Sequence, residues 1–370
     1  MVRSPGPEVL YMAKIQKHIE IVRSDVGLSS LSRASASAIH AVLAKHYHSV
    51  HISHINSHAE LAELKDLQPD LVFLGVKYVP EHAHLGKNDT NKLWVAQYLD
   101  DQSIRYTGSS SKAVQLDLDK SLAKRQIQKS GLNTSRFFIT NPDSLPSSAQ
   151  MPFAYPVFIK PPRMGGGTGV DKHSVAHTYT EFYTKVVSIA ANHGTDSLVE
   201  EYLTGREFSV AVLMSEKTGE LRAMPIELIP QANERGDRML SSAVKTSNAE
   251  SVRSVDDGEL RSAVCQLALD AFSALGGRDY GRIDIRLNHD GVPQFLEANL
   301  IPSIIDGYGS FPKACQINLE LDYEAMVLQI VRLGLAHHLP HPAEQLVTAA
   351  HSTKQPVAAL YAPIPSFNLN

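Results

Sequence analysis

Cysteine is scarce: two residues in a chain of 370, Cys265 and Cys315. Two thiols cannot staple a chain of this length, so both are expected to be reduced, which suits the cytoplasm. Long apolar runs are also missing. No stretch approaches 18 apolar residues, so no membrane span is expected. Neither sign of charge dominates, since 35 Lys and Arg against 39 Asp and Glu give −4. That balance argues against a main partner of nucleic acid or anionic membrane, yet it allows a local basic pocket for a small anion. Met1 to Met12 carries Pro5 and Pro7 and lacks the apolar core of a signal peptide. No internal repeat is visible. What is present is ordinary for a globular protein, 43% hydrophobic and 20% charged residues, with length for two or three domains.

Strand-like and helix-like patterns alternate over roughly the first 115 residues. HIEIVRS (18–24), SVHISHI (49–55) and DLVFLGV (70–76) read as strands, the last as one buried parallel strand. Helices are expected over 30–45, 59–67 and 94–101, followed by IRYTG (104–108). This alternation implies a doubly wound parallel sheet whose ligand face lies at the strand C-terminal ends. A single helix is expected over 116–132, then a Pro- and Ser-rich connector, the strand PVFIKPP (156–162) and a helix over 178–192. DSLVEEYLTGREFSVAVLM (196–214) reads as strand, turn, strand. The helices 259–276 and 322–336 flank YGRIDIRL (280–287) and PQFLEANLIP (293–302). The expected units are 1–115, 116–205 and 206–336, with a Pro-rich tail over 337–370.

Two segments carry chemistry. MGGGTGV follows a strand ending at Lys160, with Arg163 alongside. Consecutive glycines allow positive φ and let backbone N–H groups meet an anion. The segment reads either as a flap over a polyphosphate or as a surface turn. It is neither the Walker pattern nor the dinucleotide fingerprint. The second segment is acidic. The turn NHDG (288–291) joins two strands into a hairpin carrying Asp284, Glu297 and Asn299 beside Arg282. Strand alternation puts Glu297 and Asn299 on one face, and Asp284 can face them across the hairpin. Two carboxylates and an amide oxygen suit Mg²⁺; the other reading is a plain polar hairpin face. Against the metal stands the apolar run around Glu297, where a bare carboxylate is costly to bury.

Together these residues resemble the ATP-grasp superfamily, and within it the D-alanine–D-alanine ligases, over roughly 105–336. Five collinear segments carry the resemblance: YTGSSSKAVQLDLDKSLAK, PVFIKPPRMGGGTGV, LVEEYLTGREFSVAVL, GGRDYGRIDIRL and FLEANLIPSI. The resemblance implies a three-domain ATP-grasp fold with an N-terminal doubly wound α/β domain. It also implies an ATP-dependent ligation of a carboxylate to an amine through an acyl phosphate, with no protein nucleophile. Lys120 and Lys160 are then the ATP lysines. Glu200, Glu201 and the Leu203 backbone form the adenine site, and Glu207 meets the ribose. Asp284, Glu297 and Asn299 hold Mg²⁺ or Mn²⁺. Arg282 is the catalytic arginine, and Gly166 and Gly167 belong to the phosphate loop. A homodimer is implied as well.

The amino-acid half departs from the family pattern. The loop SDVGLSSLS (24–32) offers only Asp25 where the family has a glutamate, and the acidic part of the family's HG…GEDG stretch is displaced after His84. Gly166 and Gly167 stand where serines are usual, and Arg238-Met239 replaces a Lys-Tyr pair. Arg238 is expected to take over the lysine's role at the γ-phosphate. His84, Ser310 and Lys313 are candidate substrate contacts. The clustered histidines 46, 48, 51, 54 and 58 lack compact zinc spacing. The expected activity is a ligase with an altered amino-acid pocket. The rival is a nucleotide-binding regulator or scaffold that has lost ligation; the retained metal and arginine set favours the ligase.

Overall fold

The computed structural model describes residues 13–89, 91–239, 251–256 and 258–337. Met1 to Met12 and most of the expected tail lie outside the described residues.

The first unit holds β1 (Ile15–Arg23), β2 (Leu28–Ser29), α1 (Arg33–His46), β3 (Tyr47–His54), α2 (His58–Asp66), β4 (Leu71–Leu74), β5 (Val76–Pro80), β6 (Lys92–Trp94) and α3 (Val95–Asp101). Strands β3-β1-β4 form a parallel sheet. Ser32 and Ser57 start α1 and α2 by accepting backbone N–H groups from Ser35 and Glu60. The alternation along β1 sends Ile19 and Ile21 to one side, against Ile39 and Leu43 of α1. Val22 goes to the other side, against Leu61 and Leu64 of α2. Helices on both faces make the sheet doubly wound.

The run 70–76 is not one strand. At Gly75 the chain leaves the parallel sheet, and β5 pairs antiparallel with β2 and β6. A Cβ on Gly75 would lie 2.4 Å from Leu31 Cδ1 and 2.5 Å from the Val22 carbonyl. The sharp exit therefore needs glycine. Segment 104–108 contributes a single bridge, Tyr106 to Val72.

The expected helix 116–132 is two helices, α4 (Ser111–Leu118) and α5 (Lys120–Lys129). Asp119 between them has φ −96° and ψ 98°, and its carboxylate accepts from the N–H groups of Ser121 and Leu122. An aspartate that caps a helix interrupts the one before it.

The middle sheet runs β7 (Phe137–Thr140), β10 (Ser197–Glu201), β8 (Val157–Lys160), β9 (Val175–Ala176), backed by α6 (Tyr179–His193). The third sheet runs β13 (Ser251–Ser254), β12 (Leu221–Ile229), β11 (Glu207–Met214), β14 (Tyr280–Leu287), β15 (Pro293–Asn299). The expected strand, turn, strand over 196–214 is β10 and β11, which belong to different sheets. Helix α7 (Gly258–Ala274) packs on this third sheet together with Ala123 and Ile127 of α5. Helices α8 (Ser310–Leu319) and α9 (Tyr323–Leu335) complete the chain. Met326 and Ile330 of α9 share one core with the first sheet and with β11 and β12. Among the described residues no helix is long and apolar enough to cross a membrane.

Candidate active site

The floor of the site is the hairpin β14–β15. Ile283, Ile285 and Leu287 face the core under α7. The intervening Arg282, Asp284 and Arg286 point the opposite way. Asp284 pairs with Glu297, and Arg282 with Asn299. A bulge follows, because the next pair is Ile285 with Phe295 and Leu296 is the extra residue. The bulge lets Phe295 sit in the core at 0% exposure while Glu297, two residues on, lines the cleft. The apolar run around Glu297 is thereby reconciled with a polar role for that carboxylate.

Arg282 grips Asp284 with two bonds, Nε to Oδ1 at 2.9 Å and Nη2 to Oδ2 at 2.8 Å. Ser209 on β11 donates to the same Oδ1 at 2.9 Å. Burial works against the Arg282 charge, but Asp284 and Glu297 raise its pKa further. A carboxylate offers about four lone-pair sites, so Asp284 keeps acceptor capacity despite these three bonds. Two carboxylates paired across a hairpin, with an amide oxygen two residues on, are a hard-oxygen set that fits Mg²⁺.

The walls bring the two expected lysines together. The Lys120 backbone N–H donates to Pro162 O at 3.0 Å, tying α5 to the start of the glycine loop. Its Nζ donates to Met164 O at 2.6 Å and lies 3.7 Å from Glu297. Asp119, the cap of α5, is held by Arg163 at 2.6 Å. Lys160 Nζ meets Glu200 Oε2 at 2.8 Å, while Lys124 Nζ meets Oε1 at 2.6 Å. Burial alone would raise the Glu200 carboxyl; the two ammonium groups overcome it and hold the pKa at about 2. The same carboxylate, with Glu297, raises the Lys160 pKa against the cost of its burial. Desolvation lowers Lys120 and Lys124.

These groups border a single cleft. Lys120, Lys160, Gly166, Gly167, Glu200, Glu201, Leu203, Glu207, Asp284 and Glu297 all line it. Their roles differ in detail. The Glu200 carboxylate is committed to the two lysines. Glu201 is half-exposed and takes a two-point bond from Arg136 at 3.1 and 3.2 Å. Glu207 lies 3.4 Å from Arg286. Gly166 and Gly167 have φ of 65° and 81°, which only glycine adopts without strain.

A second cavity opens from the same floor and shares Lys120, Asp284 and Glu297 with the first. Arg282, Asn299 and Ser310 line it. Three expected contacts are not brought in. Lys313 lines neither cavity; its ammonium stands 5.6 Å over the ring of Tyr308, which lines the second. His84 is exposed, 6.1 Å from the His82 ring, and lines neither cavity. Arg238 is exposed and donates to Pro230 O at 2.6 Å, while its neighbour Met239 lines the cleft.

Sequence reasoning missed several residues. Lys77 lines the second cavity, is 8% exposed and forms a close ion pair with Asp117. Asp117 in turn accepts from the Leu300 N–H at 2.6 Å. A lysine inside LVFLGVKYV, just past a parallel strand, was the available signal. Lys124, spaced like any solvated helix charge, gave none.

Sequence and fold are both similar to those of known proteins. The family described as "D-ala D-ala ligase C-terminus" matches residues 127–332, more than half of the chain. A D-alanine–D-alanine ligase of Halalkalibacterium halodurans is 29% identical over 279 residues, covering 75% of this chain and 85% of the relative. That of Hydrogenovibrio crunogenus is 27% identical over 241 residues, covering 65% and 73%. The solved D-alanine–D-alanine ligase of Bacillus anthracis complexed with ATP superposes with a TM-score of 0.66 at 19% identity, covering 86% of this chain and 97% of that one. The Coxiella burnetii enzyme gives 0.63 at 20%, covering 92% and 99%.

Proposed function

This chain belongs to the D-alanine–D-alanine ligase family of ATP-grasp enzymes, and from that premise we propose that it joins a carboxylate to an amine through an acyl phosphate, in an altered amino-acid pocket. At the coarser level it is an ATP-dependent carbon–nitrogen ligase. The observation that carries the finer reading is the junction of the two cavities: lysines and glycine loop on one side, Arg282, Lys77 and Ser310 on the other, and Asp284 with Glu297 between.

Phosphoryl transfer needs positioning and charge neutralisation more than covalent help. Lys120 and Lys160 hold polyphosphate oxygens, the latter oriented by Glu200. The glycine loop closes over them with backbone N–H groups. Asp284, Glu297 and Asn299 would hold Mg²⁺ or Mn²⁺, which would supply charge neutralisation for the transferring phosphoryl group. Arg282, fixed by its two-point bond to Asp284, stabilises the negative charge that develops at the acyl centre. No cysteine is required; burial pushes the Cys315 thiol up to about 12, which marks a structural residue. The amino-acid side of the pocket uses Lys77, Asp117, Ser30 and Ser310, all bordering the second cavity. The substrates are two small molecules, a carboxylate donor and an amine acceptor, both amino acids. The resemblance supports a homodimer, and the reduced cysteines support the cytoplasm.

The test is phosphate release from Mg-ATP over a panel of D- and L-amino acids. The proposal expects release that depends on the amino acid and drops on the order of a thousandfold in Glu297→Ala. Tight Mg-ATP binding without turnover on any panel member contradicts it and supports a nucleotide-binding regulator.

A further inference from the structure

We propose that the N-terminal parallel sheet carries a second metal site, formed by His18, Glu20 and His51 and suited to a borderline divalent ion such as Zn²⁺. The site is independent of the ligase reading. His18 and Glu20 are two apart on β1, so they share a face. Glu20 and His51 are register partners on the adjacent parallel strands β1 and β3, so His51 joins that face. One ligand atom from each of the three lies within 4.8 Å of the other two. Strand pairing thus assembles a set that linear spacing does not display.

The chemistry of the set favours a cation. Glu20 is 1% exposed, a buried carboxylate. Its ionic partner among the described residues is an imidazole, His18 Nε2, at 2.7 Å from Oε1. Burying a carboxylate is costly unless a charge compensates it. The surroundings already orient the groups. Ser53 donates to Glu20 Oε2 at 2.5 Å, and Ser49 Oγ lies 2.9 Å from His51 Nε2. Such bonds restrict the rotamers of Glu20 and His51. Ligands bound tetrahedrally at Zn²⁺ distances stand about 3.3 Å apart, within reach of small rotamer changes from the present spacing. Two imidazoles and a carboxylate select Zn²⁺, Co²⁺ or Ni²⁺ over Mg²⁺. His51 is exposed and His18 partly so, which leaves a path for entry. An ion there would tie the edge strand β3 to β1.

The full-length chain, stripped with a chelator, is titrated with ZnCl₂ against a chromophoric indicator in excess Mg²⁺, which fills the hard-oxygen site. Wild type is expected to bind one equivalent that His51→Ala weakens tenfold or more, with amino-acid-dependent ATP turnover unchanged. Because His51 is exposed, this variant keeps the fold; Glu20→Gln is the supporting variant. Co²⁺ loading should give a visible d–d band in wild type that His51→Ala loses. Equal Zn²⁺ affinity and equal Co²⁺ spectra in wild type and His51→Ala overturn the proposal. They would leave His18–Glu20 a hydrogen-bonded pair and assign any bound zinc to other histidines.

Discussion

Glu200 holds Lys124 and Lys160 on the wall of the first cleft. Replacing it with Gln leaves Lys124 and Lys160 buried without their carboxylate. Unfolding in denaturant should show a loss of about 3–5 kcal/mol. Its pH signature has a definite sign. The folded carboxyl is held below its ordinary value of 4.5, at about 2. Its stabilisation is therefore complete above pH ~4.5 and is lost as pH falls toward ~2. Wild-type stability should fall more steeply than that of Glu200→Gln across that window; parallel slopes would contradict the assignment. Lys77 gives a prediction of another kind. Lys77→Ala should raise KM for the amino acids several-fold and leave KM for ATP near its wild-type value, measured by phosphate release at saturating partner. At this scale the sequence displayed Asp284, Glu297, Lys120 and Lys160, which the structure brings to one cleft. It did not display Lys124 or the Lys77–Asp117 pair, because pairing across 40 residues leaves no local pattern.

Elements decide where those side chains point. Asp119 ends α4, caps α5 and takes the Arg163 guanidinium, so one residue aligns Lys120 with the glycine loop. Asp119→Ala should cost about 0.5–2 kcal/mol for the cap alone. It should also raise KM for ATP, because Lys120 is the next residue. An unchanged KM with lowered stability would reduce Asp119 to a structural cap. The break was legible in principle, since D-K-S inside a helical pattern is a capping signal, but helical periodicity over 116–132 masked it. The bulge at Leu296 was not legible. Period-two alternation alone cannot put Phe295 in the core and Glu297 in the cleft. Gly75 belongs with it: an apolar run shows burial, while the turn out of the parallel sheet depends on contacts with Leu31 and the Val22 carbonyl.

At the scale of the whole molecule, the candidate site lies where the middle sheet, the third sheet and the small β2-β5-β6 sheet of the first unit meet. The doubly wound first unit followed from patterning, because its periods match their final states, whereas the strands Phe137–Thr140 and Leu221–Ile229 and the helix Ser310–Leu319 were not expected. The packing of α9 back onto the first sheet did not, since nothing local fixes which sheet a terminal helix covers. A site built between units should be stabilised as a whole by its ligand. Mg-ATP at a hundred times its Kd should add about 2.7 kcal/mol, read as a rise in Tm. Lys160→Ala removes a charged hydrogen bond worth about 1.5–3 kcal/mol, so its KM for ATP should rise roughly tenfold or more. The Tm rise at the same ATP concentration should shrink accordingly.

The most direct measurement is isotopic. The protein is given Mg-ATP and mixed D- and L-amino acids labelled with ¹⁸O in the carboxylate, and both products are weighed by mass spectrometry. Ligation through an acyl phosphate predicts a dipeptide and, with it, inorganic phosphate carrying one ¹⁸O from the donor. Phosphate without label, or ATP consumed with no joined product, would contradict the account.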